Sequence, residues 1–529
     1  MAQRDAEAVL ARYRRARAHR EAWEGLWQDA IDHTLPQRDR DAGAGGGRTA
    51  RLFDATAGDA AEQLAASLLA QLTPPWSRWF GLAPGSEVDD AEAGALNGTL
   101  EHAADVLQGH LDRSNFAVEI HQCYLDLVVY GTAVLQFEEA PLGAPSAFRF
   151  TAVPLAETVL DAGPDGALDV TYRRREVTAA QLANRFGADV LPTALAEAAA
   201  AGDADDRRHG LIEAVLPDGV AYDYMALLEA PDGADGPPVL AEGRFARSPF
   251  ITFRWMKAPG EIYGRSPVMR ALPDIKTANK VVELTLKNAS IAVAGIWQAD
   301  DDGVLNPANV QLTPGSIVPK AVGSSGLQPL EPAGTFDVSQ LVLSDLRERI
   351  RRTLLVNQLG AIDSPNMTAT EVLERTAEVT RLLGATYGRL QAELLTPMIA
   401  RALAILERRG AIRPISLDGR LVELQPRSPL AQVQARKDIA NTMTWVEKAA
   451  ALGQDGLATI DLPGTARWLG EMLSVPGHLM RHAPAQPADR TAQVRSGEAG
   501  TGAGRPAAAD AAARTRAGTD PNGVGDGHA

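Results

Sequence analysis

EIYGRSPVMRALPDIKTANKVVELTLKNASIAV, residues 261–293, carries an apolar stripe and a basic stripe on one helical segment. Ser266 followed by Pro267 suits an N-cap and first-turn pair: the hydroxyl can satisfy an orphan N–H, and proline has no N–H to leave unpaired. Pro273 lacks the N–H needed inside a helix and would clash with the carbonyl four residues back. The spacing therefore predicts that a fresh helix starts there and runs to Val293, about 30 Å at roughly 1.5 Å per residue. Ile275, Ala278, Val282, Leu286, Ala289 and Val293 recur at three-four spacing, which predicts packing against other helices. Lys276, Lys280 and Lys287 lie within roughly 40° of one another at about 100° per residue, some quarter turn from the apolar stripe. Glu283 shares their side and can pair with Lys287 at i, i+4. The basic stripe thus has an ordinary reading, a solvated face, and a functional one, contact with something anionic.

The chain has 529 residues, 45% of them hydrophobic, and a net charge of −15. That length suits a large core and about three domains. One cysteine, Cys123, rules out a disulfide framework and suits a reducing cytoplasm, with the thiol packed in the interior. The N-terminus is Arg-rich without a signal-peptide apolar run, and no stretch of about 18 apolar residues occurs, so a soluble chain with no membrane insertion is expected. An acidic chain is a poor general binder of nucleic acid, because phosphate affinity needs clustered Lys and Arg. Any DNA contact should be local and weak.

Working outward, residues 3–33 read as a helix with Arg4, Arg12, Arg14, Arg15, Arg17 and Arg20 along its first half, then Trp23 and Trp27, closed by Pro36. A Gly-rich loop covers 41–47. A second helix follows with Ala61, Leu64, Ala65, Leu68 and Leu72 inward, stopped by Pro74-Pro75, after which Trp76, Trp79 and Phe80 are expected as core anchors. Residues 89–131 continue as helices. Strand-like runs then appear at 132–137, 148–153, 169–175, 211–216, 220–228 and 250–255, separated by Gly, Pro and Asp turns. Helices first and strands after predict an α+β fold rather than alternating βαβ units. Beyond the opening stretch, 294–338 read as a compact excursion. A helix over 341–357 puts Leu343, Leu346, Ile350 and Leu354 on one side and Arg347 and Arg351 on another. Thr368 with Glu371 forms a capping box for a long helix that breaks at Pro397, resumes, and ends at Gly410. A strand and a helix over 421–453 and shorter helices to about 480 close the ordered part.

Chemistry-bearing motifs are missing. No G-x-x-x-x-G-K-S/T loop and no G-x-G-x-x-G turn occur, and neither does H-E-x-x-H, a Cys/His cluster or a G-x-S-x-G elbow. Asp300, Asp301 and Asp302 lack the spacing of a calcium loop and read as a polar turn. No catalytic residue, metal site or cofactor is expected. For a chain of this size that silence points to a structural role.

The order of motifs resembles the portal, or head-to-tail connector, proteins of short-tailed bacteriophages over most of residues 10–450. The carriers are the Arg and Trp helix ending at Pro36, FDATAGDAAEQLAASLLAQLTPPWSRWFGL from Phe53, and WMKAPGEIYGRSPVMRALPDIKTANK from Trp255. TATEVLERTAEVTRLLGATYGRLQAELLTPMIARALAIL from Thr368 and SPLAQVQ from Ser428 complete them. The resemblance implies a homo-oligomeric ring, commonly of twelve subunits, at one capsid vertex, with double-stranded DNA passing through it during packaging and ejection. It implies a virion component assembled in the host bacterial cytoplasm. Its partners would be the terminase large subunit, capsid and scaffolding proteins and tail adaptors. It also implies long helices with small sheets arranged as wing, stem, clip and crown. On that pattern 1–50 are an N-terminal helix and loop, 51–264 the wing, 265–293 the first stem helix and 294–340 the clip. Residues 341–356 are the second stem helix, 357–368 a channel loop, 369–427 a long wing helix, 428–482 the crown and 483–529 a disordered tail. Lys276, Lys280, Lys287, Arg347 and Arg351 are the expected channel or subunit-interface cations, and Gln358, Asp363 and Asn366 the expected loop positions. The second stem helix looks short for the family, and the Ala- and Gly-rich tail matches nothing in it. A carboxylate-based hydrolase and a smaller virion ring or tail adaptor are the rival readings.

Overall fold

Apolar residues at helical spacing build the first third of the chain. In the computed structural model the described residues are 2–475 other than 39–50, 201–206, 230–236, most of 295–335, 357–383 and a few isolated positions. Helix α1 (Ala2–Asp32) buries Tyr13, Ala16, Trp27, Ala30 and Ile31, and α2 (Thr56–Leu72) buries the five residues predicted for it. The chain leaves α2 before the double proline, crosses β1 (Phe80–Pro84) and enters α3 (Asp90–Asp112) and α4 (Phe116–Tyr130). Of the three expected aromatic anchors, Trp79 and Phe80 are buried but Trp76 is 72% exposed. Trp76 sits in the surface turn after the prolines, and the interior there is filled by Trp79 against Phe80 and Phe116.

Two antiparallel sheets follow, made by β2 (Thr132–Glu139), β3 (Phe148–Val153), β4 (Thr158–Asp161), β5 (Val170–Val177), β6 (His209–Asp218), β7 (Ala221–Leu228), β8 (Val239–Phe245) and β9 (Phe250–Arg254). Helices α5 (Ala179–Phe186) and α6 (Thr193–Ala200) interrupt them after β5. One sheet has the order β3-β2-β9 and the other β4-β5-β6-β7-β8. The six predicted strands all form. Short β4 and the Glu- and Arg-containing β8 escaped the reading because neither shows a sustained period of two. The α+β class stands.

Helix α7 runs Pro267–Ala294, with the Ser266 hydroxyl accepting from the Met269 N–H at 2.8 Å. The predicted break at Pro273 does not occur. Pro273 faces solvent and forgoes one hydrogen bond, whereas Val268, Ala271, Leu272, Ile275 and Ala278 form one buried face that continues past it. Burying Val268, Leu272 and Ile275 is worth about 1.5–3 kcal/mol each, which offsets a proline penalty of about 3 kcal/mol. A two-residue pairing of β10 (Trp297–Gln298) with β11 (Gln328–Pro329) lies within the predicted excursion. Helix α8 (Phe336–Thr353) starts five residues earlier than predicted, through an Asp- and Ser-containing turn whose weak helix propensity masked it.

The long helix is not broken at Pro397 itself. A π-helical turn (Gln391–Leu395) comes first and α9 (Thr396–Arg408) continues with Pro397 in its first turn, where a missing N–H costs least. Gly410, at φ +69°, ends it. Then come β12 (Val422–Pro426), paired with β1, and α10 (Pro429–Ala451), α11 (Gln454–Leu457) and α12 (Leu462–Met472). The main core joins α2, α4, α9 and the first half of α7 to the three-stranded sheet. α1 packs on the five-stranded sheet through Tyr13 and Tyr172, while Leu182 of α5 belongs to a separate cluster with Leu211 and Ala226. No described helix is long and apolar enough to cross a membrane.

Two tight places can be tested. Gly131 (φ +77°) meets Gly264 so closely that a Cβ on Gly264 would lie 2.1 Å from the Gly131 carbonyl oxygen. Gly264→Ala should cost roughly 3 kcal/mol and lower the melting temperature; an unchanged melt would contradict that approach. The Asp126 carboxyl is pushed up to about 6 by burial, against the pull of Arg38 at 3.1 Å. A raised carboxyl pKa means the folded chain holds its proton longer than the unfolded one, so stability falls as pH rises from about 4 to about 6. At about 1.4 kcal/mol per pH unit that group removes on the order of 3 kcal/mol across the window. Asp126→Asn should therefore gain urea stability relative to the parent between about pH 4.5 and 7, and parallel pH profiles would refute the assignment.

Candidate functional site

The sequence points to α7 and α8, and the structure sets them side by side in opposite directions. Asp274 of α7 meets Arg349 of α8 at 2.9 Å near one end, and the Trp297–Pro329 pairing follows α7 and precedes α8 at the other. The pair divides into two unequal parts. Near the core, Ile275, Ala278, Leu346, Ile350 and Leu354 are buried together. Farther out, Leu284 and Leu286 are 50% and 53% exposed, and Leu341 and Val342 of α8 are exposed as well. The predicted stripe is therefore covered at its first two positions, half-buried at Val282 and Ala289 and exposed at Leu286, while the Val293 side chain lies outside the described residues.

Four of the five predicted cations are paired with carboxylates rather than gathered. Lys276 Nζ donates to Asp29 Oδ2 of α1 at 2.7 Å. Lys280 and Lys287 flank Glu283 at 2.9 and 2.5 Å, and hydrogen bonds from Lys287 and then Lys280 hold the Glu283 carboxyl below its ordinary value. The predicted Glu283–Lys287 pair forms. Arg347 binds Asp54 at 2.8 Å. Burial alone would raise the Asp54 carboxyl, but hydrogen bonds from Thr56 and Arg347 outweigh it and keep it low. Arg351 is exposed, with no ion pair among the described residues. Gln358, Asp363 and Asn366 lie outside the described residues.

Sequence reasoning missed the fixture that seats this pair. The Asn279 carboxamide oxygen accepts from the N–H groups of Phe53 and Asp54 at 2.7 and 3.1 Å, and its amide donates to the Arg51 carbonyl at 3.0 Å. Residues 51–54 are thereby held against α7 just ahead of α2. The available signal was Asp54 two residues before Thr56, an Asx-type turn in which the Thr56 N–H donates to the Asp54 carboxylate at 2.9 Å.

Carboxylate chemistry finds little to work with. Glu213 is buried but receives Arg175, Arg185 and Tyr224, and the other buried acids, Asp54 and Asp126, each bind an arginine. Among the described residues no group of three His, Cys, Asp or Glu could hold a metal ion. The arrangement can pack, pair charges and present an uncovered apolar face.

The family described as bacteriophage head to tail connecting protein matches residues 6–480. A probable portal protein of Bordetella phage BPP-1 is 26% identical over 465 residues, 83% of this chain and 81% of its own length. The portal protein of Salmonella phage epsilon15 is 24% identical over 499 residues, 90% of this chain and 88% of its own. Among solved structures, a chain from the virion of a native gene transfer agent particle aligns with 78% of this chain and 89% of its own at 13% identity, with a TM-score of 0.35.

Proposed function

Because this chain belongs to the bacteriophage head to tail connecting protein family, we propose that it is a portal: a ring, of twelve copies on the family pattern, through which double-stranded DNA enters and leaves the capsid. The observation that carries the reading, beside the family, is the helical pair with its inner half locked into the core and its outer half uncovered. A closed ring needs one patch of each copy to fit a different patch of the next. Leu284 and Leu286 of α7 and Leu341 and Val342 of α8 supply apolar surface for that contact.

On this reading residues 265–293 and 341–356 are the stem, 294–340 the clip and 357–368 the channel loop. The wing comprises 51–264 and 369–427, and the crown 428–482. Lys276, Lys280, Lys287, Arg347 and Arg351 face the channel or the neighbouring copy. A conduit must guide DNA without gripping it, since every phosphate neutralised by a cation adds affinity through counterion release. Lysines already paired to Asp29 and Glu283 meet that requirement: they lower the negative field of the wall and leave little net charge to bind. The role is mechanical rather than catalytic. Its partners are further copies, the terminase large subunit, capsid and scaffolding proteins and tail adaptors, and its place is the portal vertex of a virion assembled in the bacterial cytoplasm.

Electron microscopy of the purified chain should show rings with a hole about as wide as a DNA duplex; compact monomers alone would overturn the proposal. Leu284→Glu with Leu286→Glu should abolish rings while leaving the far-ultraviolet circular dichroism of the chain unchanged, and intact rings would remove these residues from the interface. Replacing Lys276, Lys280 and Lys287 together by glutamine leaves Asp29 and Glu283 uncompensated. Rings should persist while DNA packaging weakens, and undiminished packaging would exclude the channel placement of these lysines.

A further inference from the structure

A group of exposed cations lies outside the α7–α8 pair, on α1. Residues 2–20 hold six arginines against Asp5 and Glu7, a local balance of +4 (6 − 2) in a chain of −15. Arg12 is bound to Asp161 at 2.9 Å. Arg20 is buried, paired with Glu24 at 3.2 Å and stacked on the Trp27 ring at 5.5 Å. Arg14, Arg15 and Arg17 are exposed and make no ion pair or hydrogen bond among the described residues. At about 100° per residue they spread over roughly 160° of the helix, on the side opposite buried Tyr13, Ala16 and Arg20. The exposed positions between 11 and 22 are Ala11, Arg14, Arg15, Arg17, Ala18, His19, Glu21 and Ala22, without one large apolar side chain.

We infer that the outward face of α1, through Arg14, Arg15 and Arg17, is a contact surface for the phosphate backbone of duplex DNA, separate from the stem helices. The inference rests on the portal reading, which brings DNA to this chain. A protein partner of useful affinity wants an apolar, desolvated centre in its interface, and this face offers none. Phosphate contact needs only accessible cations, and arginine forks match phosphate oxygens better than any other side chain. The contrast with α7 is the main point: its lysines are spent on carboxylates of the same chain, so they release few counterions, whereas these three arginines are free to do so. Tyr13 and Ala16, packed against Val170 and Tyr172 of the five-stranded sheet, hold the helix so that the arginines point away from the core.

The test is the salt dependence of duplex DNA binding by the full-length protein. Each phosphate contact contributes about 0.9 to the slope of log K against log salt, so R14Q/R15Q/R17Q should lower the slope by about 2 to 3. R14K/R15K/R17K, which keeps the charge, should retain the slope of the parent and so separates loss of charge from loss of fold. A slope unchanged in the glutamine variant overturns the inference, including the case in which this face docks an acidic protein instead. A glutamine triple at Lys276, Lys280 and Lys287 should change the slope by less than one, and a larger fall there than on α1 also overturns it. Ring formation is scored separately by electron microscopy, so failure of the portal reading and failure of this contact are distinguishable.

Discussion

A buried guanidinium ties the three-stranded sheet to the helical segment that leads into α9. Arg254, 3% exposed at the end of β9, donates from Nη2 to Glu393 Oε1 at 2.6 Å, from its backbone N–H to Glu393 Oε2 at 2.9 Å and from Nη1 to the Ile262 carbonyl at 3.0 Å. An uncompensated charge in such a place costs several kcal/mol, so the strand, the turn into α7 and the long C-terminal helix must come together or not at all. Glu393 lies in the π-helical turn that precedes α9. Arg401 of α9 makes a second pin: it donates to the Phe137 carbonyl at 2.7 Å and to that of Arg247, and lies over the rings of Phe137 and Phe245. Burial pushes its pKa down to about 10. Both pins put an arginine charge where hydrocarbon would otherwise pack, and both fix how the long helix crosses the three-stranded sheet.

What could be read from the residues was whatever depends on local periodicity. The inward face of α2, the six strands with alternating or apolar runs, the Ser266 cap and the two sides of α8 follow from spacing alone. The errors at Pro273 and Trp76 share one cause, which is tertiary packing overriding a local rule. Pro273 stays inside α7 because the buried face on both sides of it outweighs one lost hydrogen bond, and Trp76 stays outside because Trp79 already occupies the interior. Arg254 and Glu393 stand 139 residues apart, a pairing that no window of sequence reveals.

The candidate site was legible in kind and misjudged in detail. The lysine stripe exists, yet its charge is answered by Asp29 from another helix and by Glu283 within its own. Only the Glu283 part is visible from spacing. An acidic chain that spends its helix lysines internally and leaves arginines bare on α1 distributes its positive field differently from what residue counts suggest.

The pairing of β1 with β12 matters most while the chain is being made. Pro84 faces Val422 in that ladder, some 340 residues later, and Phe80 and Leu82 on β1 are buried in the finished core. At about 5–20 residues per second a ribosome needs roughly 17–70 s to deliver the partner strand. Until then β1 is an open strand edge with apolar neighbours, a template for unwanted pairing. A chain terminated before residue 422 never receives β12, and its β1 edge stays open. Closing the β1 edge therefore requires that synthesis has passed residue 426, so the N-terminal third of the core is completed only late in the chain.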